Sequence, residues 1–159
     1  LFQKMEVYYL ANKTKNLYFA VLGDCSESDV KDEKFDKEVE EEGLKEVKPG
    51  NKLGDICSAI GSYASKHNLG IVRELVGHGV GTNIHEDPEI PNYGTPNTGP
   101  VLKEGMVFAI EPMLNLGGDD VVMLDDDWTI VTEDYSPSAH FEHTVVVTST
   151  GYEILTRGD

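Results

Sequence analysis

Apolar and polar positions fall into short blocks whose spacing changes along the chain. Met5 to Leu10 and Leu17 to Leu22 are rich in aromatic and aliphatic residues, with the polar stretch Ala11 to Asn16 between them. This pattern predicts a β-hairpin or two edge strands. Asp29 to Val47 is charged, with Val30, Phe35, Val39 and Leu44 at loose helical spacing, and predicts a partly exposed helix. Glu38 and Glu40 to Glu42 stack like charges against it. Lys48-Pro49-Gly50-Asn51 is a break. A second helix is predicted from Leu53 to His67, with Leu53, Ile56, Ile60 and Tyr63-Ala64 on one face.

The pattern then shortens. Ile71-Val72 is a brief apolar segment, and Asp87 to Gly99 is so rich in Pro, Asn, Gly and Thr that it predicts an ordered loop. Met106 to Ile110 predicts a strand. Val121 to Leu124 and Trp128 to Val131 predict a hairpin around Asp125-Asp126-Asp127. Phe141 to Thr148 and Tyr152 to Leu155 predict a last hairpin through Ser149-Thr150-Gly151. Strands, two helices, then mostly strands argue for an α+β fold, an antiparallel sheet with two packed helices. Neither a repeat nor a linker interrupts residues 1–159, so one domain is expected.

Composition narrows the partners. A chain of 159 residues can bury a core without staples. With 29 acidic and 13 basic residues the formal charge is -16, and the basic residues are scattered singly. Such a chain repels a phosphate backbone, which argues against nucleic acid and against an anionic membrane surface. No apolar run approaches the roughly 20 residues that span a bilayer. Leu1-Phe2-Gln3-Lys4 has no basic region followed by an apolar block, so the cytoplasm is the expected location. Cys25 and Cys57 are expected to be reduced thiols.

Three clusters could do chemistry. In Gly77-His78-Gly79-Val80-Gly81-Thr82-Asn83-Ile84-His85-Glu86, the glycines clear space beside His78 for an ion or a substrate. A Gly-rich turn with two surface histidines is the bland alternative. Ile110-Glu111-Pro112 ends an apolar strand with a carboxylate, and Phe141-Glu142-His143 places another inside a strand. A glutamate in an apolar strand is costly unless it is paired, metal-bound or on the solvent face. One histidine and two glutamates form a mostly oxygen set suited to Mn, Fe, Co or Zn. Asp125-Asp126-Asp127 lacks the spacing of a calcium loop and reads as a solvated turn, and His67 reads as a helix C-terminal cap.

These clusters closely resemble the methionine aminopeptidases of the bacterial type, within the pita-bread metallopeptidases. The resemblance rests on GHGVGTNIHEDPEIPNYG (Gly77 to Gly94), LKEGMVFAIEPM (Leu102 to Met113) and DDDWTIVTEDYSPSAHFEHTVVVT (Asp125 to Thr148), and VKPGNKLGDI (Val47 to Ile56) fits as well. It implies a partial pita-bread fold and removal of the N-terminal methionine from peptides and nascent proteins, with one or two divalent ions (Co, Mn, Fe or Zn). It implies that His78, Glu111 and Glu142 are metal ligands, Glu142 bridging two ions, with Glu111 also the candidate general base. His85 would contact the substrate carbonyl, while Ile84 and Trp128 would line the methionine pocket. His140 stands where glutamine is usual. The family also takes two aspartates from an N-terminal hairpin, whereas here Glu6 and Asn16 or Leu17 fall near those positions. An earlier substrate-binding histidine has no counterpart. A missing N-terminal segment or a self-contact would cover the surface left over. Two other readings stay open: a catalytically inert fragment or relative acting as a binding or structural module, and a proline-directed peptidase.

Overall fold

The computed structural model describes residues 17–18 and 33–156, with side chains from Glu38 onward. The Met5 to Leu22 hairpin, apart from Leu17–Tyr18, lies outside the described residues, as do Val30 and Cys25. Two helices, α1 (Glu33–Leu44) and α2 (Leu53–Lys66), precede most of the strands. In α2, Leu53, Ile56, Cys57, Ile60 and Ala64 recur at helical spacing and are buried. At its start the Asp55 carboxylate accepts the Lys52 N–H at 2.7 Å and the Asn97 N–H at 2.6 Å, which fixes the entry of the helix and ties it to the following loop. His67 takes the predicted place at the helix C-terminus and stacks on Tyr63, with ring centroids 4.2 Å apart. Cys57 is a buried free thiol.

The described strands form two larger sheets and a hairpin. A four-stranded sheet has the order β1 (Leu17–Tyr18), β9 (Ser138–Phe141), β6 (Met113–Asn115), β2 (Gly70–Ile71). A five-stranded sheet runs β11 (Tyr152–Ile154), β10 (His143–Val147), β5 (Val107–Ile110), β3 (Gly77–Gly79), β4 (Glu86–Ile90). The hairpin pairs β7 (Val121–Met123) with β8 (Ile130–Thr132). All the strand pairs among the described residues are antiparallel, as expected of this α+β chain.

Alternation along β5 and β10 gives the five-stranded sheet two different faces. Phe108, Ile110, Val145 and Val147 join Val39, Leu44, Ile56 and Ile60 of the helices in one buried core. The residues between them in β5 and β10 face the other way.

Two expectations are corrected. The Asp87 to Gly99 loop begins later than predicted, because Glu86–Ile90 is a strand. Pro88 is accommodated there because β4 is the edge of its sheet, where a missing N–H breaks no inner ladder. Trp128 belongs to the β7–β8 turn rather than to a strand, since Asp126 accepts the Trp128 and Thr129 N–H groups at 3.1 and 2.8 Å. That turn is solvated, as predicted.

Candidate metal centre

Glu111 and Glu142 each sit where the chain leaves one sheet for the other. The segment β5–β6 passes from the five-stranded to the four-stranded sheet across Glu111-Pro112, and β9–β10 makes the reverse passage at Glu142. Glu142 is therefore at a junction between strands, not inside one, because the two ladders it connects have different flanking strands. Pairing of His143 with Ile110 and of His140 with Met113 carries the same register through the junction. Glu111 and Glu142 thus face each other across it. The Phe141 N–H donates to the Pro112 carbonyl at 3.2 Å and holds the segments together at this point. Like charges placed opposite on neighbouring strands repel, so this pair asks for a cation or a proton.

Histidines supply the other donors. His78 is the central residue of β3, between β4 and β5, and pairs with Glu89 on one side and Ala109 on the other. A Cβ on Gly77 would run into the Ala109 carbonyl and one on Gly79 into the Asp87 carbonyl, so the room these two glycines leave is taken by neighbouring strand backbone and not by an ion or a substrate. His78 Nδ1 donates to the Gly79 carbonyl at 2.9 Å, which directs Nε2 to Glu111 Oε1, 3.4 Å away. His85, in the turn after β3, lies against His78 with ring centroids 4.1 Å apart. On the other side His140 Nε2 lies 3.4 Å from Glu111 Oε2.

A metal fits this arrangement. Donor atoms from Glu111, His140 and Glu142 all lie within 4.8 Å of one another. Two donors about 2.1 Å from one ion are roughly 3.4 Å apart at a tetrahedral angle and roughly 4.2 Å apart when opposed. His140 Nε2 is buried and has no hydrogen-bond partner among the described residues, as an atom reserved for an ion would be. The side chains of Glu111 and His78 are only 12% and 14% exposed, which strengthens any charge interaction at the site.

The predicted pocket residues are more open. Ile84 is 75% and Trp128 85% exposed, on different loops. A cleft of about 160 Å³ adjoins the centre, with Val72, Met113, Val121, Ile130 and Ala139 beside His140. Its wall is mostly apolar.

The sequence profile of metallopeptidase family M24 matches residues 18–149. The chain belongs to this family. It is 52% identical to methionine aminopeptidase 1 of Bacillus subtilis over 136 residues, 86% of this chain and 55% of that protein. With the methionine aminopeptidase of Rickettsia prowazekii it shares 53% identity over 115 residues, 72% of this chain and 44% of that one. The chain thus spans about half the length of the curated relatives it matches. The crystal structure of the Rickettsia prowazekii methionine aminopeptidase superposes with a TM-score of 0.79 at 44% identity, covering 88% of this chain and 59% of that one. That of the Thermotoga maritima methionine aminopeptidase gives 0.79 at 46% identity, covering 89% and 59%. The architecture is a partial pita-bread fold, and membership of metallopeptidase family M24 implies divalent metal ions.

Two features of this M24 chain escaped the sequence reading. His140, noted in the sequence only as standing where glutamine is usual, is itself within the donor group. Glu40, assigned to a partly exposed helix, is 1% exposed and lies on the other face of the junction, where His143 Nε2 is 3.9 Å from its Oε2. Burial pushes its carboxyl up to about 8, helped by the Glu41 and Glu142 charges. The available signal was spacing: Glu40 precedes buried Leu44 by one helical turn.

Proposed function

We propose that this chain forms one catalytic unit that hydrolyses the peptide bond after an N-terminal methionine, with one or two divalent ions as cofactor. The observation that carries the reading is the Glu111–Glu142 pair with two imidazoles closing on Glu111. His78, Glu111 and Glu142 would hold the metal, and Co, Mn, Fe or Zn suits such a donor set. When bound, the ion lowers the pKa of a water and polarises the scissile carbonyl.

The chain's own residues do the rest. Glu111 is the candidate base that takes the proton from the attacking water, because its carboxylate is largely shielded from solvent. His85 would donate to the carbonyl oxygen as charge develops there, positioned by its contact with His78. The apolar cleft beside His140 would receive the methionine side chain, with Ile84 and Trp128 reaching it from their exposed loops when substrate binds. Relatives named methionine aminopeptidase support this specificity over a proline-directed one. The natural partners would then be nascent polypeptides, met in the cytoplasm.

Methionine release from Met-Ala-Ser, compared with Pro-initiated and Leu-initiated peptides, tests the reading. We expect metal-dependent release from the first alone. His78→Ala should lose tight metal binding and turnover together. His85→Ala should retain the metal and lose about 100-fold or more in rate. A chain that binds metal and releases no methionine would restore the inert-module alternative. Unchanged metal affinity in His78→Ala would remove that residue from the ligand set.

A further inference from the structure

We infer that His140 is a direct metal ligand of this chain, joining the proposed ligands His78, Glu111 and Glu142 around one ion. The inference rests on the metal-dependent reading above and deepens it. Three independent observations carry it. The first is strand geometry: His140 and Glu142 are two residues apart on the β9–β10 segment, so their side chains share a face. Glu111 stands opposite Glu142 and diagonal to His140, within reach of both.

The second is the state of the imidazole. Its Nε2 is buried and has no hydrogen-bond partner among the described residues. It lies 3.4 Å from Glu111 Oε2, near enough to share an ion but not aligned as a hydrogen bond. The third is the division of the Glu111 carboxylate. Oε1 faces His78 and Oε2 faces His140, each at 3.4 Å, so the two imidazoles approach different oxygens. Glu111, His140 and Glu142 have donors mutually within 4.8 Å, and His78 completes the surroundings through Oε1. A nitrogen at residue 140 gives the ion a neutral donor between two carboxylates, which suits zinc and other imidazole-binding ions.

Zinc K-edge X-ray absorption on the full chain loaded with one equivalent of Zn²⁺, beside calorimetric titration with Zn²⁺, tests this. Wild type should show scattering from two imidazoles. His140→Gln, which keeps a polar side chain of similar reach, should show one, and its affinity should fall about 10- to 100-fold. His140→Ala should fall about 100-fold or more. His67→Ala, at the helix end, should match wild type and control for histidines elsewhere. Two imidazoles in His140→Gln, or affinity unchanged in both His140 variants, would overturn the inference while leaving the metal site in place. No zinc binding by the wild-type chain would overturn the metal-dependent reading and the inference together.

Discussion

A carboxylate facing another carboxylate across two strands is an expensive arrangement in an empty site and a useful one around a cation. Glu111 and Glu142 adopt it at the junction of the two sheets. The two states of the site therefore respond oppositely to removal of one charge. With chelator present, Glu142→Gln should stabilise the chain by about 0.5–1 kcal/mol, because an opposed like-charge pair is relieved. With a divalent ion at about 100 times its dissociation constant, wild type should gain about 2.7 kcal/mol and the variant little of it. Thermal melts with and without Mn²⁺ check both halves. A variant destabilised in chelator and still stabilised by the ion would contradict the opposed-pair account. At this scale the candidates were legible in the sequence, since His78, Glu111 and Glu142 each stand in a distinctive motif, and the register brings Glu111 opposite Glu142. The proximity of His140 to both glutamates was not legible, because a histidine two residues from a glutamate reads as a neighbour until a strand puts both on one face.

Among the elements, α2 followed its periodicity closely, Leu53–Lys66 against the expected Leu53 to His67, and the last hairpin did so from His143 onward, Phe141 belonging to β9. Two elements did not. The β4 strand was hidden by Pro88, whose penalty depends on whether the strand is an edge, a property of the sheet and not of the segment. The face of α1 was obscured by its glutamates, since a charged residue at a buried position breaks the apolar stripe that would reveal it. Glu40 has a consequence of its own. Folding raises its carboxyl from 4.5 to about 8, chiefly by burial, so the folded chain holds a proton that the unfolded chain gives up. Its contribution to stability is complete below pH 4.5 and is lost as the pH rises through about 8. Glu40→Leu should flatten the pH dependence of stability across that window and stabilise the chain by about 1–4 kcal/mol above it. Urea melts at stepped pH would show this, and a slope unchanged from wild type would contradict the burial of the charge.

For the whole molecule, the helices and the site divide the five-stranded sheet between them. Phe108, Ile110, Val145 and Val147 face the helices, and this core holds the strands in the register that brings Glu111 opposite Glu142. The site is thus built from long-range pairings of segments far apart in sequence. The motifs announced the residues, but which carboxylate faces which depends on a register that a local pattern does not contain. A net charge of -16 adds an overall attraction for cations that is screened by salt. The most direct test of the central claim is the metal content of the purified chain after dialysis against metal-free buffer, beside a Glu111→Gln/Glu142→Gln double variant. At least one equivalent of a divalent transition metal per chain, lost in the double variant, is the predicted result. A wild-type chain that retains none, or a double variant that retains as much, would contradict it.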